Sequence, residues 1–312
     1  MRAKALQAIR RRMTLLARPK KTRNPIRSSS QAISKMGERV ADSTWSWEFK
    51  LGKYYTDEDR FEGTMPDGEV KPVVWIVIVK DHFDGLPAHV TLMSEELIAR
   101  YPYDDGEERL GVQGYRGTSY WPDSGTPDAE HGLRPFLNSL SKDEYAYTGD
   151  GFRAAFSDPF DEAVLETTIG HITKLDDDGN WDEENPWVQY TTQDHVFVLS
   201  TAEYGINQAE DMPEQGRVVP YFDPEHPAYP QDPMEAWERD MKTAHLGGEE
   251  YMYWSRTATR TFFNSVALAS TAEGSGSSTP SSPEGVRPVL NLSGNVRVSE
   301  IPNDEGVYEI TW

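Results

Sequence analysis

The densest run of potential ligand atoms in the 312-residue sequence is Asp176-Asp-Asp-Gly-Asn-Trp-Asp182, with Glu183 and Glu184 directly after it. Asp176, Asp178, Asn180 and Asp182 alternate and present hard oxygen ligands of the kind Ca²⁺ takes. The competing reading is a solvated acidic turn. An EF-hand loop is not formed, because its sixth position is Trp181 and its twelfth is Trp187. The seven histidines, His82, His89, His131, His171, His195, His226 and His245, make no i,i+3 or i,i+4 pair and no His-Glu-x-x-His zinc motif. The sequence contains no cysteine, which removes disulfides, thiolate metal sites and cysteine nucleophiles together. Gly-x-Ser-x-Gly, Gly-x-x-x-x-Gly-Lys and strand-linked Gly-x-Gly-x-x-Gly motifs are absent, so serine hydrolysis and nucleotide chemistry lose their usual handles. With 52 acidic residues, some carboxylate pair falls at glycosidase spacing by chance, so abundance is not evidence for a polysaccharide-degrading enzyme. The expectation is a non-catalytic chain with no cofactor, calcium at the acidic run being the one candidate.

A second type of site is aromatic. In Gly114-Tyr-Arg-Gly-Thr-Ser-Tyr-Trp121, the rings of Tyr115, Tyr120 and Trp121 have the flat apolar faces and polar tips that stack on sugar rings. The alternative is that they belong to the core. Trp254, Arg256, Arg287 and Asn291 lie in or beside apolar stretches. A guanidinium cannot be left there unpaired without a cost of about several kcal/mol, so they are expected to pair with buried carboxylates or backbone carbonyls that pin loops. Arg134 and Asn138, near an expected helix end, receive the same structural assignment.

The elements that must position these residues are mostly short strands. Nine Trp, fifteen Tyr, 24 Gly and 21 Pro point to an aromatic core joined by many turns. Val73–Val79 is apolar on both faces, as in a covered strand, and His89–Met93 reads as its hairpin partner across a turn at Asp81–Gly85. Ser94, Glu95 and Glu96 predict a brief helix to about Arg100, and Asp158 with Pro159 predicts a second, with Ala163–Leu165 as its apolar side. Asp194–Leu199 reads as a buried strand left through the capping box Ser200-Thr-Ala-Glu203. Glu250–Arg256, Thr261–Ser270, Val286–Leu292 and Val307–Trp312 read as further strands, and Gly274–Pro283 as a flexible loop by composition. The fold class expected is α+β.

Charge divides the chain. Residues 1–40 hold twelve Lys or Arg against Glu38 alone, whereas residues 41–312 hold 19 bases against 51 acids. The expected organisation is a basic arm, 1–40, and an acidic body, 41–312. In the arm, Leu6, Ile9, Met13 and Leu16 form an apolar stripe ended by Pro19. Arg10, Arg11, Arg12, Arg18, Lys20 and Lys21 are the anchor candidates, suited to an acidic or phosphate-bearing partner. An organellar transit peptide and a solvated tail remain open as alternatives; a secretory signal lacks its apolar stretch. The longest apolar run, Val73–Val79, is far short of the roughly 20 residues that span a bilayer, so no membrane insertion is expected.

Six segments in order carry a resemblance: Pro72–Val79 with Thr91-Leu-Met-Ser94, Leu133-Arg-Pro-Phe-Leu-Asn138, Phe152–Ile169, Thr192–Glu203, Tyr253-Trp-Ser-Arg256, and Gly285-Val-Arg-Pro-Val-Leu-Asn-Leu292. Over residues 68–295 the chain resembles a lectin-like family of unassigned function found in phage virion proteins and Gram-positive surface proteins. That resemblance implies a fold similar to C-type lectins and formylglycine-generating enzymes. The cysteines of the latter activity are absent, and so are the Glu-Pro-Asn and Gln-Pro-Asp tripeptides of lectin calcium–sugar sites. What it implies is a bacteriophage virion protein, a fibre, decoration or tail component, localised in the virion. Its partners would be other virion proteins through residues 1–40 and a host-surface glycan, with a homo-oligomeric state. A purely architectural virion protein and a secreted carbohydrate-binding module are the alternatives.

Overall fold

The computed structural model describes residues 30–33, 35–50, 53–54, 63–64, 67–103, 132–141, 151–173, 186–206, 212–213, 215–223, 225, 241–258, 266–269, 275–280 and 282–312. Two sheets dominate them. The first orders its strands Ser30–Ala32, Arg297–Ser299, Val307–Thr311, Arg39–Ala41, Trp75–Lys80, His89–Ser94 and Val289–Ser293. Val164–Leu165 and Val196–Phe197 both pair with the last of these. The second runs Ser275–Ser278, Val266–Ala269, Tyr253–Ala258, Pro283–Val286, Ala99–Pro102, Trp47–Lys50 and Asp67–Lys71. Two short helices, Leu133–Asn138 (α1) and Asp158–Ala163 (α2), lie among them. The protein is therefore mostly β, and its helical part is smaller than an α+β class implies.

The expected hairpin forms: Trp75–Lys80 pairs antiparallel with His89–Ser94, Ile76 opposite Met93 and Val77 opposite Leu92. Trp75 to Val79 is buried throughout, as a strand covered on both faces must be. The tight return uses Asp81 at φ 50° and Gly85 at φ 81°. Between the sheets sits an aromatic cluster. Trp45 packs against Phe152, Phe156 and Phe160; Trp47 meets Phe152 edge-on at 5.1 Å; Tyr101 stacks on Phe136 of α1 at 4.4 Å. These rings explain how a chain without cysteine closes two sheets, each such pair adding about 0.5–1.5 kcal/mol beyond the area buried.

Several local expectations give way to long-range pairing. The brief helix after Ser94 does not form. Leu97 to Tyr103 is buried without a break, so no face is left for solvent, and the Leu97 and Ile98 amides donate to His245 O and Val286 O. Glu95 and Glu96 spend their carboxylates on Arg39 and Lys71 instead of a helix N-terminus. Helix α2 begins one residue earlier than expected, with Ser157 as its cap accepting from Phe160 N; Val164 and Leu165 leave it as a strand. Asp194 ends the strand Val188–Asp194, and Val196–Phe197 is a separate strand in the first sheet. The capping box closes reciprocally, Glu203 N on Ser200 Oγ and Ser200 N on Glu203 Oε2, yet only a turn follows it. Ser275–Ser278, expected within a flexible loop, is an edge strand registered on Val266–Ala269.

The first sheet also reaches into residues that the charge division assigns to the arm. Ser30–Ala32 pairs with Arg297–Ser299, and Arg39–Ala41 lies between Val307–Thr311 and Trp75–Lys80. Ile33 and Val40 are buried. The anchor candidates Arg10, Arg11, Arg12, Arg18, Lys20 and Lys21 lie outside the described residues. A chain beginning at residue 41 is thus expected to be less stable than one beginning at residue 30. The loss of two buried aliphatic side chains alone amounts to about 3–6 kcal/mol, measured as a fall in the urea midpoint.

Candidate functional site

The candidate site is a set of buried charged stations and the clefts beside them. At the first station Arg256, 2% exposed, meets Glu203, 1% exposed, in a two-pronged pair: Nη1 to Oε2 at 2.6 Å and Nη2 to Oε1 at 2.7 Å. Its remaining donors reach Val198 O, Gly170 O and Gln215 O, so one guanidinium ties its own strand to three stretches, at residues 170, 198–203 and 215. Ser200 N also donates to Glu203 Oε2, and Thr257 bridges Gln215 Oε1 to Thr201 N. Gly216 permits the approach: it stands at φ 97°, and a Cβ there would lie 2.4 Å from Glu203 Oε1. Both Glu203 oxygens thus accept from Arg256, and Oε2 also from Ser200 N.

An open cleft of about 340 Å³ lies over this pair, with His82, Asp84, Thr168 and Arg217 on its walls. His82 is held below its ordinary pKa, first by burial and then in part by Arg217, while Glu203 acts in the opposite sense. His89, behind it, is fixed by two bonds: Nδ1 donates to Pro87 O and Nε2 accepts from Phe83 N.

The second station secures α1. Arg134 Nε bonds Asp194 Oδ1 at 2.6 Å, and Thr192 Oγ1 donates to Oδ2 of the same carboxylate. Asn138 donates to Arg134 O and Val196 O and accepts from His195 N and Val196 N, a complete set for a side-chain amide. The third station crosses the first sheet, where Thr91 Oγ1 donates to Asn291 Oδ1 and Asn291 Nδ2 to Thr167 Oγ1. At the fourth, Trp254 Nε1 donates to Tyr101 O at 2.7 Å, and Arg287 reaches Ser94 O, Met241 O and the Tyr253 hydroxyl. The structural role expected for Trp254, Arg256, Arg287, Asn291, Arg134 and Asn138 is what these bonds perform.

The stations also fix where other segments leave the scaffold. Tyr103 O accepts from Leu133 N at 2.9 Å, closing the base of residues 104–131, and Ser141 O accepts from Gly151 N at 3.1 Å, closing 142–150. Thr173 pairs with Val188 across the base of residues 174–187. The sequence-expected ligand residues Tyr115, Tyr120 and Trp121, and the calcium candidates Asp176, Asp178, Asn180 and Asp182, belong to these segments and lie outside the described residues. His131 and His226 also lie outside the described residues. Among the described residues there is no group of three His, Asp or Glu arranged to hold a metal ion, and no helix is long and apolar enough to cross a membrane.

His171, stacked on Tyr190 at 5.7 Å, is held down to a pKa of about 3, first by burial and then by Arg256 and Arg134. Because the folded pKa lies below the unfolded value near 6.5, its contribution to stability is complete above pH 6.5. It is lost as pH falls toward 3, at roughly 1.4 kcal/mol per pH unit. Replacing His171 with Phe is expected to flatten the urea-stability profile between those limits, and an unchanged slope would refute the assignment. At the first station, Glu203→Gln leaves the Arg256 charge buried without a counterion and is expected to cost about 3–5 kcal/mol. Glu203→Leu combined with Arg256→Met, which removes both charges, recovers most of that loss in the same measurement.

No curated protein and no solved structure matches the chain. A family match covers residues 89–294, more than half of the 312 residues, and takes in all four stations. Its limits meet in space, because Gly294 N donates to Ala88 O at 2.8 Å and His89 pairs with Ser293. The chain belongs to the family described as a domain of unknown function, DUF6273.

Proposed function

We propose that the chain is a non-catalytic attachment protein of a bacteriophage particle, a fibre, decoration or tail component. In this reading a C-type-lectin-like body carries recognition of a host-surface glycan in residues 104–131 and 174–185. The basic residues ahead of Ser30, among them Arg10, Arg11, Arg12, Arg18, Lys20 and Lys21, join the body to other virion proteins. The chain acts as a homo-oligomer.

The observation that carries the reading is the way both segments are mounted. Each is closed at its base by hydrogen-bonded residues, Tyr103 after a strand with Leu133 at the start of α1, and Thr173 with Val188 in a two-stranded ladder, on a scaffold held by buried polar pairs. A rigid frame under segments free to differ in sequence suits recognition of a surface. Two of the most buried carboxylates, Glu203 and Asp194, are committed to Arg256 and Arg134, and a third, Asp42, accepts from Thr44, Ser157 and Trp312, which favours a holding role over proton transfer. The basic N-terminal composition against an acidic remainder supports an anchor in an acidic or nucleic-acid-bearing assembly.

The test is adsorption of the purified full chain to host cells and to a glycan array. Binding is expected to fall at least tenfold in a Tyr115→Ala, Tyr120→Ala, Trp121→Ala variant of unchanged melting temperature. If the acidic run takes calcium, a chelator lowers adsorption and Asp178→Asn with Asp182→Asn reproduces that loss. Equal adsorption by wild type and the triple aromatic variant would remove the recognition reading and leave the architectural one.

A further inference from the structure

The arginines of the fold, Arg153 beside α2 included, are partnered unequally. Arg256 has Glu203, Arg134 has Asp194 and Arg153 has Asp161, each within ion-pair distance. Arg287 is as deeply buried as Arg256, at 2% exposed, but among the described residues it has no carboxylate partner. Its Nε donates to Ser94 O at 3.1 Å and its Nη1 to Met241 O at 3.1 Å and the Tyr253 hydroxyl at 3.3 Å. Nη2 has a single contact, Glu95 O at 3.5 Å, the weak limit of a hydrogen bond. Carbonyl dipoles and the face of Tyr253, 5.5 Å from the guanidinium carbon, soften the charge without cancelling it.

Arg287 contributes to the lining of a shallow, open cleft of about 600 Å³ whose other walls include Ile76, Tyr221, Met241, Thr243 and His245. The Tyr221 ring is buried in the wall. Burial raises the pKa of its hydroxyl above the ordinary value while Arg287 acts in the opposite sense, so at neutral pH it carries its proton beside a positive charge. Glu95 and Glu96 also face the cleft, but their charges are taken by Arg39 and Lys71.

We infer that this cleft is a binding site for a singly charged carboxylate, received by Arg287 and the Tyr221 hydroxyl with the rest of the ligand against Ile76 and Met241. Among the described residues the site offers one uncompensated positive charge, which matches one negative charge. A dianion such as phosphate would bring a second charge toward Glu95 and Glu96 with nothing to meet it. An acidic sugar and a free carboxylic acid share the recognised group.

The full-length chain is titrated by ligand-observed NMR with glucuronate, N-acetylneuraminate, acetate, glucose and inorganic phosphate. Saturable binding is expected for carboxylates and not for glucose or phosphate. A preference for the two acidic sugars over acetate assigns the source to a sugar, and equal binding assigns it to carboxylic acids in general. Arg287 is part of the core and its removal can unfold the chain, so the deciding variant is Tyr221→Phe, which is expected to bind about five- to tenfold more weakly at unchanged melting temperature. The inference is independent of residues 104–131: the triple aromatic variant retains carboxylate binding even if host adsorption is lost. It is overturned if no carboxylate saturates, if glucose binds as well as glucuronate, or if Tyr221→Phe binds as wild type.

Discussion

A guanidinium taken out of water must have its charge matched and its five N–H donors occupied, and the arrangement around Arg256 follows from that demand. The carboxylate of Glu203 lies flat against it, carbonyls from residues 170, 198 and 215 take the remaining directions, and Gly216 stands aside at a φ open to glycine. Four stretches of chain distant in sequence are thereby fixed in one register. Nonspecific apolar packing could bring those stretches together, but it would not set their relative positions, because apolar contacts are non-directional. The aromatic cluster supplies the bulk of the cohesion and the polar stations supply the addresses.

The same division of labour shows in how the family segment closes. Val289–Ser293 pairs with His89–Ser94 along one edge and with both Val164–Leu165 and Val196–Phe197 along the other. Asn291 sits in that strand and bonds across it in both directions, to Thr91 and to Thr167. Residues before 89 and after 294 add strands outward from this nucleus. Arg39–Ala41 lies parallel to Val307–Thr311, and Asp42 gathers Thr44, Ser157 and the C-terminal Trp312 on its carboxylate. The flanking residues extend the sheet on one side only, so the family segment supplies its other end.

Features decided by the burial of a single residue type were legible in the sequence. A run such as Val73–Val79 has no polar face and must be covered, and an arginine inside Tyr-Trp-Ser-Arg256 must find acceptors; both readings need only local composition and the cost of desolvation. Features decided by a distant partner were not. Ser94-Glu-Glu96 carries a sound helix-start signal, yet Arg39 and Lys71 compete for the two carboxylates and the residues that follow have no solvent side. The serine-rich stretch near 275 reads as a loop until Val266–Ala269 offers it a ladder. Ser30–Ala32 looks like the end of a basic tail because nothing near it in sequence announces Arg297–Ser299. The cleft beside Arg287 is less legible still: its walls come from strand, turn and hairpin residues between 76 and 287, and no spacing rule joins them.

Arg256 and Arg287 lie in adjoining strands' neighbourhoods and face the same physical requirement, but the fold answers it differently. Around Arg256 the charge is matched by Glu203 and the guanidinium's donors are all taken, so the station holds the chain. Around Arg287 the described residues supply carbonyls and a ring face but no carboxylate, and one nitrogen is weakly bound among them. A site needed only for stability is served as well by an apolar side chain of similar volume, which carries no desolvation cost. An arginine with no carboxylate partner among the described residues, beside a cleft, retains a capacity for an anion that its paired neighbour has given up. The two residues thus separate, within one buried set, the charge that builds the scaffold from the charge that the scaffold presents.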